Sequence, residues 1–389
     1  MASAGPQHLV APVSARGEIP ALNGFRAIAI WLVMLSHVGM ERSLPGQFGV
    51  TLFFFLSGYL ITTLLRREFL RDATISLKAF YFRRAVRILP PLGFAIVLAV
   101  AMSLTGLLHP LYYPGLVSDA LFLSNYFPLS GVPIGLWSLA VEEHFYFVFP
   151  AVALLCFTMG GARSCAIFCV IACVVTLGVR LFEVARLEDF SNVNFWTHTR
   201  IDSILFGAIL ACWNNPVIDR RDRLPGRWAS YAIGLALLAS TFLYRDEVFR
   251  QTFRYTVQGV ALIFLFNAAI RDAGFARRVL DSAPMRISAD LSYTLYLVHS
   301  LIVYAARPLA EGAAWIPVMC GALVVSFLIA WAVRWKIELP MAKWRRRVEG
   351  QWRARRTVET GEAEPAAHGE VNGNPVTPEL GGKSLKHAR

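Results

Sequence analysis

At 389 residues, with 56% hydrophobic and only 16% charged residues and a mean hydropathy of +0.50, the chain is too apolar for a pair of soluble domains and fits a protein that crosses a membrane many times. A formal charge of +12 does not bring in a nucleic-acid partner, because the basic residues are interleaved with apolar spans and no fold signature for reading bases or phosphates accompanies them. All six cysteines, Cys156, Cys165, Cys169, Cys173, Cys212 and Cys320, fall in apolar spans, so no disulfide framework is visible; Cys165, Cys169 and Cys173 share a helix face that reads as small-residue packing, and no metal site is expected.

Residues 1–20 are polar and contain proline, and the apolar run behind them lacks a small-residue cleavage site, which predicts an uncleaved first span. Apolar segments follow near 21–39, 48–65, 90–108, 137–157, 165–182, 196–213, 228–244, 255–270, 287–306 and 314–335, predicting an all-α, polytopic bundle of about ten transmembrane helices. The connections alternate in charge. The second carries Arg66, Arg67, Arg71, Lys78, Arg83, Arg84 and Arg87, and basic clusters recur after the sixth, eighth and tenth spans, whereas 109–136 holds no lysine or arginine. Positive charge marks the cytoplasmic side, so both termini are expected there, in a cell (inner or plasma) membrane; Arg245, Arg250 and Arg254 run against the pattern without reversing it. The proline-rich stretch 109–136 is the longest outer connection and is expected to hold a short surface helix. The chain thus divides into a cytoplasmic segment 1–20, a membrane domain 21–340 and a tail 341–389, basic at first and then, beyond about residue 357, too polar to order. Such a tail leaves no appended soluble enzyme domain in this expectation.

The run Leu22 to His37, LNGFRAIAIWLVMLSH, places an arginine and a histidine in lipid-compatible sequence. Ionisable groups are costly there and point to function. Eleven helical residues rise about 16 Å and return to nearly the same face, so Arg26 lies near the cytoplasmic surface and His37 near the outer one. The alternating topology also brings Glu142 and Glu143, Arg200 and Asp202, and His299 to the outer half, four spans feeding one layer. The plainer alternatives are an Arg200 ion pair for the glutamates, an inter-helix hydrogen bond for His299, and interfacial placement for His144 and His198. On the cytoplasmic side Arg84 and Arg87, spaced i and i+3 before Pro90 and Pro91, join Arg26 as a candidate phosphate clamp; Arg83 reads as an ordinary topology charge. Ser57, Tyr59, Ser292 and Tyr296 are candidates to line a route between the ends, and Gly58 and Gly207 to permit close helix packing.

Taken in order, LNGFRAIAIWLVMLSH, GVTLFFFLSGYLIT, RRAVRILPP, LWSLAVEEHFYFVFP, TRIDSILFGAILA and ISADLSYTLYLVHS resemble the membrane acyltransferase-3 family of bacterial O-acyltransferases, over roughly residues 20–340. The first motif departs at Asn23, where the family usually has aspartate, and His144 stands where glutamine is common. The resemblance implies an O-acyltransferase that takes an acyl group, acetyl foremost, from cytoplasmic acyl-CoA as co-substrate and places it on a hydroxyl of a glycan, glycolipid or other acceptor at the outer face. No permanently bound cofactor is implied. It further implies a catalytic His37 and functional Arg26, Arg84 and Arg87. The expected chemistry is direct transfer: His37 acts as general base on the acceptor hydroxyl, Glu142, or in second place Glu143, orients the imidazole or the acceptor sugar, and Arg200 or His299 stabilises the oxyanion. The rivals are a covalent route through His37 or Ser57 and, in another class, a transporter or exporter of a glycan precursor, against which the absence of internal repeats counts.

Overall fold

The computed structural model of the chain describes residue 19 and residues 21–40, 44–127, 136–272 and 274–360. The expectations for the first eighteen residues, for most of the proline-rich stretch past Phe127 and for the tail past Thr360 fall outside those residues. The helices are α1 (Leu22–Leu35), α2 (Gly46–Asp72), α3 (Leu77–Leu104), α4 (Tyr113–Ala120), α5 (Leu136–Arg186), α6 (Thr197–Arg200), α7 (Asp202–Trp213), α8 (Arg227–Leu243), α9 (Glu247–Gln251), α10 (Phe253–Arg271), α11 (Phe275–Leu280), α12 (Ala283–Ala306), α13 (Trp315–Val333) and α14 (Leu339–Thr360). The described residues contain no strand.

Among the described residues six helical stretches are long and apolar enough to cross a membrane, one of them the 51-residue α5. That helix covers two of the expected spans, joined without a loop where Gly161 adopts φ 68° and ψ −159°, backbone space that a Cβ forbids. The expected segments at 196–213, 228–244 and 287–306 are helical as well, in α6 and α7, α8, and α12. The expected short helix of the outer connection is α4. Outward-facing Val97, Phe147, Val174 and Leu328 are each more than half exposed, an apolar exterior that suits lipid and not water.

Contacts fix the helix directions. The Ala21 N–H donates to Asp281 at 2.9 Å while His37 meets His299 at the other end, so α1 and α12 run parallel. On α2, a Cβ added at Gly46 would meet Ser36 and one at Gly49 would meet Ala29, which makes α2 antiparallel to α1. The closest seam is between α2 and α7: Gly58 lies against the Ile204 carbonyl and Gly207 against the Phe55 carbonyl, so close that a Cβ at either position would overlap backbone oxygen. These glycines permit close packing, as their place in the sequence suggested.

The described residues up to 342 and those from 343 to 360 belong to two separate units. In the second, Arg345 pairs with Glu349 one turn later at 3.9 Å.

Candidate active site

Two cavities lie along α1. The larger, about 1300 Å³, is lined by His37, Trp137, Tyr255, Tyr296, His299 and Trp315 among others. The smaller, about 90 Å³, is lined by Arg26, Ser57, Arg84, Arg87, Glu142, Tyr146, Ser292, Tyr293 and Tyr296. Val50 and Tyr296 line both, and the Tyr296 hydroxyl closes the junction with a short hydrogen bond to Ser138. The arginine and the histidine of the first motif therefore reach two adjoining chambers, separated by the helix rise that the sequence sets.

In the larger chamber α1 loosens after Leu35 into a π turn, Ser36–Met40, a departure that interrupted helices often make at functional sites. His37 sits in this turn and is exposed to the chamber. Gly39, at φ 93°, completes the turn against the Trp315 indole. Nδ1 of His37 faces the Val33 carbonyl at 2.8 Å, and Nδ1 of His299 faces the Leu295 carbonyl at 2.8 Å. A carbonyl only accepts, so each Nδ1 carries the proton and donates it, and each neutral ring keeps its lone pair on Nε2. The two rings meet edge to face with centroids 5.0 Å apart. His299 is 2% exposed and its Nε2 is without a hydrogen-bond partner. A pair of acceptor nitrogens beside an open chamber can take a proton from a hydroxyl.

In the smaller chamber Arg84 lies 3.7 Å from Glu142 and 3.6 Å from Glu143, with its guanidinium 3.4 Å from the centre of the Tyr146 ring. Tyr146 donates to Glu142 at 3.0 Å. Arg26, Arg84 and Arg87, expected to cluster, do share this chamber, and Ser57 and Tyr296 line it as well. The expectation that Glu142 and Glu143 stand level with His37 is corrected. Trp137 lines the His37 chamber itself, so Glu142, five residues further along α5, lies about 8 Å deeper along that helix, toward Arg26. The glutamate partner is Arg84 and not Arg200.

Arg200 and Asp202 are not among the residues lining either chamber. Arg200, 1% exposed, donates to Ser203 at 2.5 Å and Thr51 at 2.7 Å and packs 3.6 Å from the centre of the Tyr255 ring. It stands behind the chamber wall and is not among the residues lining either cavity. Asp202 is held by Arg180 at 2.9 Å with both side chains fully buried, and Arg180 also donates to the Thr199 carbonyl at 2.7 Å. Such a closed pair is structural. His144 and His198 bond to Thr197 and Tyr126 at 2.7 and 2.9 Å, outside both linings. Sequence reasoning passed over Tyr146, Tyr293, Trp137 and Arg180. The signal for Tyr146 was its place one turn after Glu142, on the same helix face.

A family model described as an acyltransferase domain matches residues 19–335. The O-acetyltransferase OatA of Staphylococcus aureus strain NCTC 8325 is 28% identical over 347 residues, 84% of this chain and 57% of the relative. A putative O-acetyltransferase of S. aureus strain COL, SACOL0978, is 28% identical over 310 residues, 73% of this chain and 50% of the relative. The chain thus spans a little over half the length of the curated relatives it matches. No solved structure matches it significantly.

Proposed function

We propose, from the premise that this chain belongs to the acyltransferase-3 family, that it is a membrane O-acyltransferase moving an acyl group, acetyl foremost, from cytoplasmic acyl-CoA to a hydroxyl of a glycan or glycolipid at the outer face. The observation that carries this reading is the pair of chambers meeting at Tyr296, one with three arginines and the other with two imidazoles. The topology in this reading has ten traversals of the cell membrane, with both termini cytoplasmic.

Arg26, Arg84 and Arg87 bind the CoA phosphates, with forked guanidinium donors suited to phosphate oxygens. Glu142 and Glu143 hold Arg84 in place, so their role lies at the donor end. The thioester arm extends along α1 past Tyr296, which requires the Tyr296 hydrogen bond to Ser138 to open. His37 Nε2 then takes the acceptor hydroxyl proton as the oxygen attacks the thioester carbonyl; the new ester forms as the carbon–sulfur bond breaks, and the proton passes to the departing thiolate of CoA. The chain-internal bond from Nδ1 to Val33 fixes the tautomer that this step needs. His299 supports the His37 ring from the side and supplies a second lone pair for the migrating proton.

The test is release of free CoA by the purified chain in detergent with acetyl-CoA and a glycan acceptor. Acceptor-dependent release with ester formation is the expected result. A protein that moves glycan precursor across vesicles without consuming acetyl-CoA is instead a transporter, and the acyltransfer reading fails.

A further inference from the structure

The outer chamber has a charge that the transfer chemistry does not use. Arg245, Arg250, Arg254 and Arg307 line it, while no aspartate or glutamate is among its described lining residues. Arg245 and Arg250 lie between α8 and α10 and Arg254 in the first turn of α10, at the His37 end of the molecule, where the alternation of positive charge leaves basic residues without a topological reason. Asp246, next to Arg245 in the sequence, caps α9, its Oδ1 accepting from the Phe249 N–H at 2.7 Å, and neither Glu247 nor Glu311 is among the described lining residues. Arg254 is half-buried and spends one terminal nitrogen on Gln47 at 2.9 Å and Tyr255 at 2.6 Å. Its Nε, though buried, has no partner, and neither has the Gln251 carbonyl oxygen nearby in the sequence and in the same wall. The chamber therefore offers four guanidinium groups with no carboxylate among its described lining residues, beside aromatic side chains at Trp137 and Trp315 that suit the C–H face of a sugar ring.

We infer that the acceptor is an acidic saccharide, carrying a carboxylate or phosphate on or next to the sugar that presents the hydroxyl, and that Arg245, Arg250, Arg254 and Arg307 select it by that charge. This deepens the acyltransfer reading and rests on it. The anion is attracted by four guanidinium groups in a concave site, where field lines are focused, and is held by forked donors once inside. Arg254 is the most enclosed of the four and forms the end of the subsite; the exposed Arg245, Arg250 and Arg307 form its mouth.

The test uses the full chain in nanodiscs of uncharged lipid, with three probes: cellobiose, cellobiouronic acid and a phosphorylated cellobiose. Binding is measured directly, and CoA release is followed in the same samples. The expected result is binding of one or both acidic disaccharides at least about tenfold tighter than cellobiose, as one charge-assisted hydrogen bond implies. The two acidic arms distinguish carboxylate from phosphate. That preference should weaken as salt is raised and disappear in the double variant Arg250→Glu/Arg307→Glu, whose exposed positions spare the fold. Equal binding of neutral and acidic probes overturns the inference, as does a preference that the double variant keeps. Acid-selective binding with no CoA release counts against acyl transfer alone and leaves the anionic subsite standing.

Discussion

His37 acquires its chemistry from the residue four places before it. The Val33 carbonyl accepts a hydrogen bond from the Nδ1–H, so the lone pair of the neutral ring is on Nε2. Replacing His37 with alanine should lower kcat by about 10²–10⁴, the usual contribution of a general base, with donor binding retained; full activity in a folded variant would rule out the assignment. Asp202→Asn makes a different kind of prediction. It strands Arg180 without its anion inside the bundle, at a cost of about 3–5 kcal/mol, so thermal unfolding in detergent should move sharply down while a change of Asp202 and Arg180 together to apolar residues restores it. An unchanged melting profile for Asp202→Asn would show that the pair carries little. That His37 and His299 share one chamber and Arg26, Arg84 and Arg87 the other was legible in the sequence because an ionisable group in an apolar span has few innocent explanations. Arg180 was hidden because it lies close to the end of its span, where a basic residue passes for an interfacial one.

At the scale of elements, α2 and α7 depend on two glycines. Gly58→Val sets a branched side chain against the Ile204 carbonyl and should cost at least about 1–3 kcal/mol, visible as lower yield of monodisperse protein; normal yield and stability would mean that the helices separate freely. Helices α1 and α12 carry the two imidazoles at matched heights because they run parallel from the contact of Ala21 with Asp281. Most of the helical segments were readable from apolar run length. The junction inside α5 was harder to see, because Gly160 and Gly161 turn the chain with no polar loop to mark the event. The depth of Glu142 was misread for a related reason. An apolar run says where a helix lies, but only packing says that the start of α5, at Leu136 and Leu139, sits beside Leu92 and Ala95 in the middle of α3 and so within the bundle.

For the whole molecule, the proposed mechanism divides the labour between the two chambers, binding in one and chemistry in the other. Neutralising the donor end with Arg84→Ala and Arg87→Ala should raise the acyl-CoA KM by about 10- to 100-fold for each charge-assisted hydrogen bond removed, with the acceptor KM little changed. An acceptor KM that rises instead would place these arginines in the wrong chamber. The measurement that tests the division most directly is acetyl-CoA binding and turnover in parallel, on the purified full chain, for His37→Ala and for the Arg84→Ala/Arg87→Ala pair. Two separable ends predict that His37→Ala binds acetyl-CoA as the unaltered protein does yet releases almost no CoA, while the double arginine variant no longer binds it. Failure of His37→Ala to bind acetyl-CoA, with binding preserved in the arginine variant, would contradict it.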